Sequence, residues 1–236
     1  NYSIKFSGNY NGNGKTISGL YSNQPAAADG NSRAGMFGQT ANATLSQISL
    51  RNVNLTVKLK TLVKVAYNTY MGALIGSAST TQISNCSATG TLTENNAASI
   101  SRYAGGLLGY SYDCDITYSF ADCNILAYNV AGGLVGSCAP NSTYNYCFAS
   151  GDITIAGNNT NSYAGGFCGT NSQAIINNSY ATGATTNNAG GYASSFSSSA
   201  NFTTLSNCYG NGLVYSSSAS NAKGFIARNW SSFGIP

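Results

Sequence analysis

Asp113, Cys114 and Asp115 form the densest group of chemically capable side chains in the sequence. If this stretch is extended, both carboxylates project to one face roughly 7 Å apart, a spacing that suits a paired-carboxylate hydrolase or two ligands of a calcium ion. Two loop aspartates beside a turn are the plainer alternative, and Arg102 is the cation that could join them. The chain has six acidic residues and no histidine. That removes Ser-His-Asp and Cys-His catalysis and every His-ligated metal centre. No catalytic residue, metal-ligand set or cofactor site is assigned, and the chain is read as a non-enzyme.

Any element that positions these residues belongs to a repeat. Gly105-Gly106-Leu107-Leu108-Gly109 returns as Gly132-Gly133-Leu134-Val135-Gly136 and Gly165-Gly166-Phe167-Cys168-Gly169. Earlier copies are Gly35-Met36-Phe37-Gly38 and Gly72-Ala73-Leu74-Ile75-Gly76, and weaker ones begin at Gly190 and Lys223. Tyrosine and alanine lead in at Tyr103-Ala104 and Tyr163-Ala164. A second block answers the first: Asn85-Cys86-Ser87-Ala88-Thr89-Gly90, Tyr146-Cys147-Phe148-Ala149-Ser150-Gly151, Asn178-Ser179-Tyr180-Ala181-Thr182-Gly183 and Asn207-Cys208-Tyr209-Gly210-Asn211-Gly212. Steps of 25 to 38 residues between copies lie in the range of solenoids.

Composition selects the kind of solenoid. Only 7% of residues are charged, and Gly, Ser, Thr, Asn and Tyr are abundant, so helix is disfavoured. Leu55, Val57 and Leu59 alternate with polar residues, as do Ile153 and Ile155, which is the period of half-buried strands. One repeat then makes one coil of two or three short strands, each pairing in parallel with its equivalent about 4.8 Å away. The prediction is an all-β parallel β-helix of about six to seven coils.

These blocks, with Phe6-Ser7-Gly8 through Asn13-Gly14-Lys15-Thr16-Ile17 before them, resemble the GLUG motif repeats of bacterial surface proteins and filamentous-haemagglutinin-like adhesins. Residue 11 is Asn where that pattern usually carries Asp. The resemblance implies a right-handed β-helix in a secreted or surface-anchored protein and implies no single chemistry.

Residues 1–236 read as one domain, with an opening segment at 1–34, repeats at 35–227 and a tail at 228–236. No segment has the length and apolarity of a membrane span, and the chain starts at Asn1 with no leader, as a mature product or a fragment would. A net charge of +4 is small, and Arg51, Lys58, Lys60 and Lys64 form at most one basic strip, so nucleic-acid binding is not expected.

Seven cysteines suggest an oxidising compartment. Cys86, Cys147 and Cys208 share one motif position, with Ser119 and Ser179 between them. Such positions two coils apart are separated by about 9.6 Å, too far for a disulfide. Bonds between neighbouring coils, Cys114 to Cys138 or Cys123 to Cys147, remain as candidates, beside the alternative of small buried core residues.

Tyr110, Tyr112 and Tyr118 cluster near the acidic group and are candidate glycan-stacking residues. An ice-binding face around Thr91-Leu92-Thr93 is set aside because no regular threonine row is evident. Asn141, Asn158 and Asn201 are the better sequon acceptors for N-glycosylation. Tyr2, Ile4 and Phe6 at one end and Phe233 and Ile235 at the other are candidate assembly edges, because strand edges left open pair with another chain. The expected function is an extracellular structural protein, a filament subunit or adhesin rod that self-associates head to tail or continues into a flanking solenoid. A carbohydrate-binding module is the alternative, and a polysaccharide-active β-helix enzyme a third class.

Overall fold

The computed structural model describes residues 4–25, 31–58, 68–95 and 102–229. Every paired strand runs parallel to its partner, and the strands form three sheets of 12, 11 and 7 strands. Each coil visits them in turn. In one central coil the short face is Arg102–Gly105, the long face Leu108–Tyr112 and Asp115–Thr117, and the return face Phe120–Ala127. The next coil repeats this with Val130–Gly132, Val135–Cys138, Thr143–Asn145, Phe148–Ala149 and Ile153–Ile155. About six such coils, with part-coils at either end, make a β-solenoid, as the repeat predicts. The one helical element among the described residues is a 3-10 turn at Ala219–Asn221.

Register turns the sequence repeat into columns. Leu45, Ile83, Ile116, Tyr144, Ile176 and Leu205 stand one above another inside the long face. Leu55, Leu92, Ile125 and Ile153 do the same in the return face, and Phe167, Phe196 and Phe225 stack at centroid separations of 4.9 and 4.8 Å. Like side chains in register bury their faces on each other, so apolar area is removed from water by vertical stacking as well as by closure of the coil.

The double-glycine corner is where the solenoid is thinnest. A Cβ on Gly133 would lie 2.1 Å from the Gly166 carbonyl oxygen and 2.8 Å from the Ala149 Cβ on the return face. Backbone of one coil therefore rests on backbone of the next, with alanine facing it across the core, and no larger residue fits.

Two further corners use left-handed backbone without glycine. Asn42, Thr80, Asp113, Asn141, Gln173 and Phe202 form one column, with φ between 45° and 62°. Asn13, Gln47, Asn85, Tyr118, Tyr146, Asn178 and Asn207 form another, with φ between 49° and 54°. Asparagine tolerates this region best. Thr80 holds it because the hydrogen-bonded coils above and below fix the corner, and Phe202 follows a strand hydrogen-bonded to the coil before it.

Most of the variation in repeat length falls in one place. From Leu108 to Ala127, from Cys168 to Asn187 and from Ser197 to Ser216, long and return faces together advance 19 residues, and from Phe37 to Val57 and Val135 to Ile155 they advance 20. The passage from return face to short face instead takes 4 residues from Ala127 to Ala131, 9 from Ile155 to Ala164 and 14 from Val57 to Met71.

Candidate functional site

The acidic group does not form a carboxylate pair. Asp113 sits at a left-handed corner with φ 53°, not in an extended run, so the two aspartates turn toward different coils. Thr80 Oγ1 donates to Asp113 Oδ2 at 3.0 Å from one side, and Thr143 Oγ1 donates to Asp115 Oδ1 at 2.6 Å from the other. Arg102 lies elsewhere, buried beside Glu94. Among the described residues no group of three or more potential metal-ligating side chains occurs.

The Glu94–Arg102 pair was not legible in the sequence. Glu94 replaces an apolar inward position of the return face, in register with Val57. It is 1% exposed, its Oε2 accepts the Tyr128 backbone N–H at 2.9 Å, and its Oε1 has no hydrogen-bond partner. Burial pushes its carboxyl up to about 7 against the opposing pull of Arg102 and the Tyr128 amide. Burial lowers the Arg102 guanidinium in turn.

All seven cysteines are free thiols, six of them buried, which corrects the disulfide candidates. Cys114 lies level with Ser142, whose Oγ accepts its N–H at 3.3 Å, so Cys138 is four residues out of register with it. Cys123 lies level with Gly151, since Phe120 pairs with Phe148, and Cys147 is likewise four residues away. Four residues of strand are about 13 Å, beyond disulfide reach. Cys168 donates its thiol to Ser197 Oγ at 3.3 Å, and Cys138 pairs with Asn171, three residues further along. Burial raises Cys86 and Cys114 to about 11 and Cys123 and Cys147 to about 12, so these are inert core groups.

The glycosylation candidates separate. Asn141 is exposed at a left-handed corner and Asn158 is exposed between strands, whereas Asn201 is half-buried and ends a long-face strand paired with Ser172. Of the assembly-edge residues, Ile4 is 93% exposed and Phe6 packs on Phe37 at 4.9 Å; Tyr2, Phe233 and Ile235 lie outside the described residues. On the return face Thr56, Thr93, Thr154 and Thr186 do share one outward column, interrupted by Leu126, so a threonine row exists where none was expected.

The three candidate tyrosines are not one platform. Tyr118 is exposed and stacks on Tyr146 at 5.0 Å and 6°, so each ring gives one face to the other. Tyr112 is exposed on the long face. Tyr110 is half-buried and meets Tyr70 at 5.5 Å and Tyr103 at 6.1 Å. That last contact marks the most elaborate surface of the solenoid, the crease where short and long faces fold together. In register along the short face stand Arg33, Tyr70, Tyr103, Val130, Tyr163 and Tyr192. Opposite them on the long face stand Ser77, Tyr110, Ser137, Thr170, Ser199 and Arg228. Arg33 covers Tyr70 at 5.7 Å and Arg228 covers Tyr192 at 5.1 Å, so a cation closes each end of the row. The lead-in tyrosines of the repeat were its only sequence signal.

Comparison with curated proteins finds no match. Two solved structures share the fold. One, "IgA1 Protease", has a TM-score of 0.59 at 20% identity, over 93% of this chain and 16% of that one. The other, a Bacteroides ovatus protein assigned as an immunoglobulin A1 protease, has a TM-score of 0.60 at 17% identity, over 94% of this chain and 68% of that one. At these identities the likeness is one of fold. The sequence itself matches the GLUG motif over residues 67–93 and 160–187, and the chain carries that motif in the coils of a parallel β-solenoid.

Proposed function

We propose that this chain is a rigid, non-enzymatic rod segment of a secreted or cell-surface protein, serving to extend and present a surface. The observation that carries this reading is the parallel pairing of three sheets through all described coils, interrupted by one bulge between Leu50 and Val53. Such a stack resists bending because each coil is hydrogen-bonded along three walls to the next. Among the described residues Asn9–Asn11 and Ile226–Asn229 are the outermost strands of the long-face ladder, and assembly with a further coil or a second copy would proceed by strand addition beyond them. Negative-stain electron microscopy over a concentration series tests the assembly. Fibres of uniform width support head-to-tail stacking, rods that stay single support a stalk, and compact spheres overturn the rod.

The names of the fold relatives favour a second reading, in which the solenoid is the stalk of a protease acting on immunoglobulin A1 and proteolysis resides in another part of that protein. Incubating the purified chain with immunoglobulin A1 tests what the two readings share, since cleavage by this chain alone would overturn the non-enzymatic assignment.

A further inference from the structure

The tyrosine row in the crease has one gap. Tyr70 and Tyr103 stack at 5.7 Å and 11°, and Tyr163 and Tyr192 at 5.5 Å and 11°. Between the pairs the row position is Val130, in register with Tyr103 on one side and Tyr163 on the other. Every other member from Tyr70 to Tyr192 spends a ring face on its neighbour. Tyr103 and Tyr163 each keep one face turned to the gap, two coils apart, which is about 9.6 Å. Val130 is buried at its floor. The long face supplies the side wall: Gly169 lies against the Val130 side chain, and the following residue, Thr170, donates through Oγ1 to Ser137 Oγ at 2.9 Å. Tyr163 OH accepts from Arg228 at 3.0 Å, which fixes that wall.

We propose that this slot takes one pyranose ring of an extended neutral glycan lying along the crease. Two aromatic faces about 9.6 Å apart are too widely separated for a flat aromatic guest, which needs about 7 Å from two van der Waals contacts of about 3.5 Å. A puckered saturated ring with axial C–H groups on both faces is thicker and meets both tyrosines. Its hydroxyl rim then faces the Ser137–Thr170 pair, which can both donate and accept. No Asp, Glu, Lys or Arg occupies the slot's row position or the two long-face positions beside it, and the two arginines of the crease are engaged by its rings, Arg33 by Tyr70 and Arg228 by Tyr192 and the Tyr163 hydroxyl. The guest is accordingly uncharged. This inference adds a ligand to the presenting surface and is independent of how the rods assemble.

The test is affinity electrophoresis of the chain through gels containing laminarin, yeast mannan or arabinogalactan, with polygalacturonate as the charged control. V130Y completes the tyrosine row and fills the slot with a ring, so its melting temperature should equal or exceed that of the parent. The expected result is retardation in at least one neutral gel, reduced tenfold or more in V130Y and in Y163A and unchanged in Y118A, which lies outside the crease. Retardation of V130Y equal to the parent, retardation by polygalacturonate alone, or none in any neutral gel would overturn the proposal. Electron microscopy of V130Y shows in parallel whether the rod itself is intact.

Discussion

Ser119 stands one coil from Cys86 and completes its backbone, accepting the Cys86 N–H at 3.0 Å while donating to the Thr117 carbonyl at 2.8 Å. Ser179 does the same for Cys147 at 3.1 Å. The left-handed corner just before each cysteine takes its amide out of the sheet ladder, and a hydroxyl from the next coil replaces the missing acceptor. Removing that acceptor leaves a buried N–H unsatisfied. Ser119→Ala is therefore expected to cost about 1–3 kcal/mol. Ser119→Cys, which copies the neighbouring coils, should cost less. Thermal unfolding of the two variants side by side checks the order.

Burial gives the thiols a kinetic signature. In the native protein at pH 8, Ellman's reagent should modify Cys208, the half-buried member, well before the other six. All seven should react once denaturant is added. Rapid native modification of Cys123 or Cys147, whose thiols are pushed up to about 12, would contradict the core placement.

Glycine substitutions should divide by position. Gly133→Ala places a methyl 2.1 Å from a carbonyl oxygen of the next coil and is expected to cost several kcal/mol or prevent folding, because backbone there cannot yield. Gly224→Ala meets nothing within 4 Å and should change stability by about 0.5 kcal/mol or less. Yield of soluble protein and melting temperature report both.

Glu94 makes stability depend on pH in the direction opposite to an ordinary paired carboxylate. Its folded value, about 7, lies above the ordinary carboxyl value of 4.5, so the folded state holds the proton more tightly. The resulting stabilisation is complete below pH 4.5 and is lost as pH rises through about 7. Melting temperature should therefore rise by several degrees between pH 8 and pH 5.5, and Glu94→Gln should flatten that slope. A slope unchanged in the variant would place the titration elsewhere.

The repeat was open to reading because its constraint is local. Glycine is required where backbone rests most closely on backbone, as at Gly133, while the same corner carries Ala73 and Ser195 in other coils, and inward positions such as Ile153 and Ile155 keep a two-residue period. The cysteine–serine alternation was likewise visible as Cys86, Ser119, Cys147, Ser179 and Cys208. What local pattern could not give was anything made by register between coils. Asp113 looked extended because its left-handed column is filled by Asn, Thr, Asp, Gln and Phe in turn, with no common type to announce a corner. Tyr103 and Tyr163 looked like punctuation until the Val130 gap set them facing each other. Glu94 and Arg102 flank an interval in the sequence, and only coil closure brings them together.

Concentration of length variation in the passage between return and short faces, with no more than one residue gained within the long and return faces, means that the molecule separates its ruler from its pendants. Strand positions are rungs at a fixed pitch, whereas the connecting peptide at that one corner can be lengthened, shortened or exchanged, coil by coil, without moving a rung. Foreign peptides grafted there, for example between Ile155 and Ala164, would be displayed at defined heights along the rod, and neighbouring grafts could be varied independently.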